Sequence, residues 1–476
     1  MSFKKKIVKN IGFVSIGEAI SSLLSYFLII YIARLLGSEG LGVYSFAFAF
    51  VGLFGLFYDF GITAFFIKEV SYNRKNIEKY FGNYASLKLV FCIIAMLLPM
   101  ISIIFLKRSL DVNIIVYLAS ISLFFQNYSY VARNTFQAYQ EMHYDAFVRI
   151  AERIIAFTLG LYVLSSGYGL TAFLLVLVFS NLVSLIISII FLKKIHVDFN
   201  FKVDYSMWKN ILKNSWPFWL SFVFIQIYFQ VDTVMLSFMK GYEATGLYNA
   251  AYKLINAVAK IPWIVVAVLF PVMSELYANL SKEPLKKVLE KGMHVMAIVS
   301  IPMIIGVSLL ADRIIFFIYK DGFHDSAIVL KILIWTTIFV FLSNIIGWFL
   351  NAINMQKIFT YTTGISLIIN VILNALLIPY FSYIGASIAT LVTTIINFLL
   401  LYYFNMKSGY YINIVRLTIK PLMSSVVMGM FIFFFGSRMH ILLLIPISVI
   451  IYFSLLALMG DIKKDDFNGF LNVEKT

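Results

Sequence analysis

Six ionisable side chains interrupt long apolar stretches of this sequence: Glu18, Asp59, Lys88, Asp232, Lys253 and Lys260. Such a group costs ~2.5–3.5 kcal/mol at the centre of a hydrocarbon-spanning helix, so it faces a cavity or a partner. At about 1.5 Å per residue, Asp232 lies ~12 Å below the outer end of the stretch 214–239, which finishes near Lys240, and Lys253 and Lys260 lie ~10 and ~20 Å below the outer start of 246–273. Asp232 and Lys253 therefore share a depth, and two readings stand: a structural ion pair or a ligand site. Lys260 has no acid at its own depth on the preceding stretch and is the candidate anion-binding cation. Glu18 and Asp59 share a second depth. Two carboxylates there would hold Na⁺ or a proton. In the plainer reading Asp59 orients the bend Tyr58-Asp59-Phe60-Gly61 and Glu18 meets Lys88 or Arg133.

The elements that position these groups are membrane helices. Of the 476 residues, 61% are hydrophobic and 13% charged, with a mean hydropathy of +0.91. A water-soluble domain carries about 25% charged residues. About fourteen stretches are long enough to cross ~30 Å of hydrocarbon as helices. They lack the alternation of β-barrel strands, so the expected fold is an all-α polytopic membrane protein. Lys4, Lys5, Lys6 and Lys9 precede the first stretch in the manner of a secretory signal. That stretch ends in Arg34-Leu35-Leu36-Gly37, without a small-residue cleavage site, and is expected to remain attached.

The net charge of +15 is a statement about topology, not about nucleic acid. With a cytoplasmic N-terminus and alternating crossings, only Arg34, Lys107, Arg108, Lys240, Arg313, Lys320, Lys331 and Arg438 fall outside. Lys253 and Lys260 fall within a helix, and the remainder of the 38 Lys and Arg face the cytoplasm. This asymmetry predicts a multi-pass protein of the plasma or inner membrane with both termini cytoplasmic. The single cysteine, Cys92, can form no internal disulfide and reads as apolar packing.

The chain also repeats itself. Gly37-Ser38-Glu39-Gly40-Leu41-Gly42-Val43-Tyr44 is answered 204 residues later by Gly241-Tyr242-Glu243-Ala244-Thr245-Gly246-Leu247-Tyr248. Gln137-Ala138-Tyr139-Gln140 is answered by Asn351-Ala352-Ile353-Asn354, and Gly169 by Gly385. The expected organisation is a six-helix lobe at 1–195, a cytoplasmic connector at 196–213, a second six-helix lobe at 214–405, and a helix pair with tail at 406–476. Each lobe holds an even number of helices, so the two should be related by a pseudo-two-fold axis along the membrane normal. Pro217, Pro262, Pro271 and Pro302 mark expected bends, and 281–291 reads as an amphipathic interfacial helix.

An enzyme reading has little to stand on. External loops are short, the longest near 312–325, where a polysaccharide polymerase or ligase would need a substantial outer domain. No phosphate-binding loop is present, and His143, His196, His294, His324 and His440 lack metal or triad spacing.

The segments Gly37-x-Glu39-x-x-Gly42-x-Tyr44 and Asp59-Phe60-Gly61-Ile62 resemble the polysaccharide transporter family. This is the Wzx-type oligosaccharide flippase branch of the MOP (multidrug/oligosaccharidyl-lipid/polysaccharide) exporter superfamily. The second half resembles it more fully, through Val231-Asp232-Thr233, Gly246-Leu247-Tyr248-Asn249-Ala250-Ala251-Tyr252-Lys253, Leu269-Phe270-Pro271, Asn370-Val371-Ile372-Leu373-Asn374 and Gly385-Ala386-Ser387. The resemblance implies two lobes around a V-shaped cavity, two extra C-terminal helices, and alternating-access export of polyprenyl-pyrophosphate-linked oligosaccharide for surface polysaccharide or glycan assembly. It implies a cationic head-group site with Lys253 as its best counterpart. Lys260, Asp232 and Arg34 complete the candidate substrate-binding set, and Glu18 and Asp59 are the candidates for cation coupling.

No cofactor is expected, with Na⁺ or H⁺ coupling left open. The partners implied are the lipid-linked oligosaccharide, membrane lipids, and a glycan polymerase or glycosyltransferases. The alternatives are a cation-coupled multidrug antiporter of the MATE type and a peptidoglycan-precursor lipid flippase. The orientation is testable: a cysteine placed in the connector should label in intact cells only with a membrane-permeant reagent. Labelling by an impermeant one would reverse the topology.

Overall fold

The computed structural model describes residues 3–73 and 76–461, so the tail expected beyond 461 lies outside the described residues. The elements in chain order are α1 (Phe3–Leu53), a 3₁₀ turn (Phe54–Phe57), α2 (Ile62–Tyr72), α3 (Asn76–Phe105), α4 (Leu110–Ala138), α5 (Met142–Ser165) and α6 (Gly169–Lys194). There follow α7 (Tyr205–Val258), α8 (Ile261–Ala278), α9 (Lys282–Tyr319), α10 (Ser326–Leu333), α11 (Thr336–Ala352), α12 (Gln356–Lys407), α13 (Ile414–Phe435) and α14 (Ile441–Leu458). The described residues contain no strand.

Among the described residues, ten helical stretches, where about fourteen were expected, are long and apolar enough to cross a membrane. Three of these, Gly12–Phe57, Gln226–Ala278 and Gln356–Lys407, run to 46, 53 and 52 residues. A single crossing needs about 20 residues. Each of the three contains a residue with non-helical backbone: Gly37, Gly241 and Ser382.

The chain divides into two compact units, Met1–Asn249 and Ala250–Thr476. Within the first, both copies of the glycine motif are found, and each does the same thing. Gly37 (φ 70°, ψ −172°) and Gly241 (φ 83°, ψ −175°) adopt a conformation essentially closed to residues with a Cβ. Each breaks one long helical stretch into two segments.

The copies then meet. A Cβ at Gly42 would fall on the carbonyl oxygen of Tyr242, and a Cβ at Gly246 on that of Ser38. Ser38 and Tyr242 are equivalent in the repeat, as are Gly42 and Gly246, so the contact is reciprocal. Backbone touches backbone because glycine leaves room for nothing else. Phe46, fully buried, packs beside this crossing with its ring 5.8 Å from Phe238. Farther along, Trp219 Nε1 donates to Leu56 O at 2.8 Å and Gln226 Nε2 to Gly52 O at 3.0 Å.

Other repeat positions also match in backbone. Gln140 (φ 57°) and Asn354 (φ 63°) both stop their helices with a left-handed residue. Glu141 N bonds Phe136 O, and Met355 N bonds Leu350 O, both at 2.8 Å, the six-residue closure that satisfies carbonyls at a helix C-terminus. His196 and Gly409 end α6 and α12 in the same manner, through Val197 N to Leu192 O and Tyr410 N to Asn405 O.

Several expectations are corrected. Gly169 takes φ 78° in an open turn, whereas Gly385 is needed for space, its Cβ position lying 2.5 Å from Leu377 O. Those two glycines are aligned in sequence without sharing a task. The 281–291 segment is no separate interfacial helix: it opens α9, which runs 38 residues or ~57 Å. Leu285 and Leu289 are buried beneath α11, beside Phe341 and Phe349. Most of the expected 312–325 loop is helix to Tyr319. Pro262 sits in the first turn of α8, where a missing N–H is tolerated, and Pro271 and Pro302 ride inside α8 and α9. The Pro217 side chain lies outside the described residues.

The reciprocal crossing predicts a stability effect. Gly42→Ala and Gly246→Ala should each lower the thermal midpoint in detergent by about 5 °C, from a backbone shift of ~1–3 kcal/mol. Gly306→Ala, whose Cβ would meet nothing nearer than 3.7 Å, should leave it in place. Equal midpoints for Gly42→Ala and Gly306→Ala would remove the crossing as a constraint.

Candidate functional site

Each half of the sequence has its second apolar stretch broken at a corresponding place. In the first unit the 3₁₀ turn Phe54–Phe57 runs into a bend, with Phe60 (φ 47°) and Gly61 (φ 76°) in left-handed conformation before α2 resumes. In the second, α7 stops at Val258 and α8 starts at Ile261, with Ala259 and Lys260 between. Helices interrupted at matching positions of two halves are the sequence and structural mark of a transporter binding region.

Asp59 stands in the first break. Ile62 N donates to its carbonyl at 2.9 Å, and the Thr63 hydroxyl donates to its carboxylate. The ammonium of Lys88, 2% exposed on α3, pairs with the same carboxylate. Tyr84 Oη lies 3.0 Å from Thr63 Oγ1 and accepts from Asn134 Nδ2 at 3.0 Å. The bend, α2, α3 and α4 are thus joined by one polar network in which Asp59 carries the negative charge.

Glu18 belongs to a different network. Its partner is Arg149 on α5, not Lys88 or Arg133, which are engaged by Asp59 and Asp145. Arg149 also reaches Asp145 at 3.1 Å, one turn away. Of the two readings open for Glu18 and Asp59, a shared cation site or separate local partners, the structure has each carboxylate matched to a basic side chain of its own. Among the described residues there is no cluster of three or more His, Cys, Asp or Glu able to hold a metal ion.

Asp232, 4% exposed, accepts from Tyr248 Oη at 3.0 Å, and the neighbouring Thr233 and Asn249 lie within 3.2 Å of each other. These bonds tie the two segments of α7 together across Gly241. Arg34 is exposed on α1, one turn before Gly37.

In the second unit Lys253 is half-buried on the last segment of α7, and no ion pair is made to it within that unit among the described residues. Lys260 is exposed at the N-cap position of α8, its carbonyl accepting from Trp263 N at 3.3 Å. The sequence places it near mid-membrane within one helix, with a bend expected at Pro262. It stands instead at a helix start, where its charge adds to the positive end of the α8 dipole. Seven residues, including the break, separate it from Lys253.

The same unit contains an apolar groove of about 300 Å³ between α9, α13 and α14, with Pro302, Met303, Gly306, Met428, Ile445 and Val449 in its wall. Polar clamps hold its sides. Tyr452 Oη donates to Ile298 O at 2.7 Å, and Arg313 donates to Gly436 O and Met439 O. At the other end Asp461 faces His294 Nε2 at 3.1 Å and Lys420 Nζ at 3.3 Å.

What sequence reasoning missed is the charge of α5. Asp145, Arg149, Glu152 and Arg153 recur at helical spacing in an otherwise apolar segment, and that spacing was the available signal. They line the interior of the first unit beside α1, α4 and α6.

The comparisons follow this architecture. Residues 7–277 match the family model "Polysaccharide biosynthesis protein", and residues 217–376 match the MatE family model. A curated relative, "Probable low-salt glycan biosynthesis flippase Agl15" of Haloferax volcanii, is 24% identical over 349 residues, 72% of each chain. The fold is similar to that of a solved lipid II flippase, MurJ, in an inward closed conformation. The TM-score is 0.79 at 18% identity, over 94% of this chain and 98% of that one. It is also similar to an inward-facing multidrug resistance MATE transporter of the MOP superfamily, at TM-score 0.61 and 17% identity over 86% and 98% of the two chains. The family model spans more than half of the sequence, carrying both glycine motifs and both broken helices: this multi-pass membrane protein belongs to the polysaccharide biosynthesis protein family.

Proposed function

We propose that this chain is a flippase that moves a polyprenyl-pyrophosphate-linked oligosaccharide from the inner to the outer leaflet of the cell membrane, by alternating access, with both termini cytoplasmic. The observation that carries this reading is Lys260 at the break between α7 and α8, where a cation and a helix N-terminus coincide in a membrane protein. A pyrophosphate is the ligand such a place attracts. Lys253, seven residues earlier on α7, adds a second cation, and the apolar groove beside α13 and α14 suits a long hydrocarbon chain. The relative of Haloferax volcanii and the MurJ structure, both flippases by name, favour the same class.

Energetics agree. Exporting negative charge from an inside-negative cell gains ~2.3 kcal/mol per charge per 100 mV, so no nucleotide hydrolysis is required. The antiporter alternative loses support from the pairing of Asp59 with Lys88 and of Glu18 with Arg149, which leaves these carboxylates matched to cations of the protein itself.

Lys260→Ala should slow flipping of a fluorescent lipid-linked oligosaccharide in vesicles about tenfold or more, since a charge-assisted bond is worth ~1.5–3 kcal/mol. Lys260→Arg should retain part of the rate. Wild-type flipping by well-folded Lys260→Ala would remove this residue from the mechanism.

The driving force is separable. Collapsing the membrane potential at clamped pH and Na⁺ should slow transport, while Glu18→Gln should change it little. Glu18 is the cleaner choice, because Asp59→Asn would strip the buried Lys88 of its counter-charge. Transport that ignores potential and follows a Na⁺ or proton gradient would overturn the electrical drive.

A further inference from the structure

The first unit has a partly open cavity of about 200 Å³ between α1, α4, α5 and α6. That is room for about seven waters at ~30 Å³ each. Three of its walls carry unspent hydrogen-bonding capacity. Arg153 lines it with five N–H donors, and among the described residues its one acidic partner is Glu152 at 3.5 Å. That separation is too long for a strong bond. Asn181, 5% exposed, gives its Nδ2 to Ser122 Oγ at 2.8 Å, and its Oδ1 is buried without a donor. Gln126 adds an amide from α4, and Tyr44, Phe48 and Phe173 supply aromatic surface, with Tyr44 and Phe48 rings 4.8 Å apart.

The two open valences select the ligand's chemistry. Asn181 Oδ1 needs a donor, which a carboxylate or phosphate cannot offer. Arg153 needs acceptors, which an ammonium cannot offer. Glu152 cancels the guanidinium charge beside the cavity, and Ser184 Oγ holds that carboxylate at 3.2 Å. A neutral ring bearing hydroxyls satisfies both ends at once, and its C–H face packs on aromatic rings.

The fold itself does not require these groups. In the register that joins Gln140 to Asn354, Glu152 and Arg153 become Ser366 and Leu367, and Gln126 becomes Val340. The second repeat builds the same helices with no charge at these places.

We infer that this cavity is a subsite for one neutral sugar ring of the transported glycan, with Arg153 and Asn181 as its donor and acceptor and Tyr44 and Phe173 as its walls. The assignment of that ring to a transported glycan rests on the function proposed above; the carbohydrate chemistry of the cavity does not.

The test uses Ser25, which lines the cavity, as a reporter. In the full chain in nanodiscs, with Cys92→Ala removing the single native thiol, Ser25→Cys is reacted with methyl methanethiosulfonate and the rate followed by mass spectrometry. Glucose, galactose or N-acetylglucosamine should slow the reaction at least about threefold, and sodium acetate or choline chloride should not. Arg153→Gln and, separately, Asn181→Leu should abolish the protection while eluting as monodisperse protein, and Arg153→Lys should restore part of it. A polyprenyl-pyrophosphate disaccharide should protect where the same lipid without sugar does not.

Protection by acetate equal to that by hexose would overturn the proposal in favour of an anion site. Absence of protection by every sugar would overturn it in favour of a water-filled void. If the wild type protects Ser25→Cys with sugars yet flips no lipid-linked oligosaccharide, the functional reading falls and the sugar site stands.

Discussion

Two backbone segments that touch without side chains between them set the geometry of the first unit. At Gly42 against Tyr242 and Gly246 against Ser38, the chain closes on its own duplicate, and each side supplies both a glycine and a carbonyl. Helices normally stay 8–10 Å apart because side chains intervene. Here the absence of a Cβ lets the turns nest, and the segments that leave them are committed to their directions by Gly37 and Gly241. The Phe46 to Phe238 contact, the Trp219 bond to Leu56 and the Gln226 bond to Gly52 all follow along the pair of helices that diverge from that point. So does the placing of the break at Tyr58–Gly61, held from one side by those donors and from the other by Asp59 and Lys88.

The charges then divide by task. Asp59, Glu18 and Asp145 are each paired with a basic side chain, and these pairs tie helices to one another. Lys253 and Lys260 are placed differently, on the second unit, at a break where a helix N-terminus already presents positive potential. Charges of the first kind tie helices to one another, and those of the second stand beside a helix start. The distinction between the two sets is visible only in three dimensions.

How much could be read in advance depended on whether the information was local. The copies at Gly37 and Gly241 were legible because a glycine forced by its own φ and ψ leaves an unmistakable letter. The same holds for Gln140 and Asn354, where the turn chemistry is local to six residues. Gly169 and Gly385 misled, because one glycine serves conformation and the other serves space, and the letter does not say which. Lys260 was placed inside a helix and stands at a helix start: the break beside it needed Pro262 and the 259–260 turn read together. Glu18 was given the wrong partner, because Arg149 is 131 positions away and several cations compete at that depth. The cavity at Arg153 was not legible at all. Its walls come from four helices, and no run of sequence contains more than a fragment of it.

The charged face of α5 has a consequence for how the protein is made. Asp145, Arg149, Glu152 and Arg153 give this segment four ionised groups at ~2.5–3.5 kcal/mol each on insertion scales, and it falls outside the stretches apolar enough to partition into lipid by composition. Two of its counter-groups, Glu18 and Arg133, belong to helices synthesised earlier, and Ser184 belongs to the helix that follows. The segment is thus stable in the bilayer only in company. The nascent chain would have to hold α1 and α4 beside the insertion machinery until α5 emerges, and α6 would seal it in. Assembly of the first unit therefore has an order built into its salt bridges, from the N-terminus toward α6.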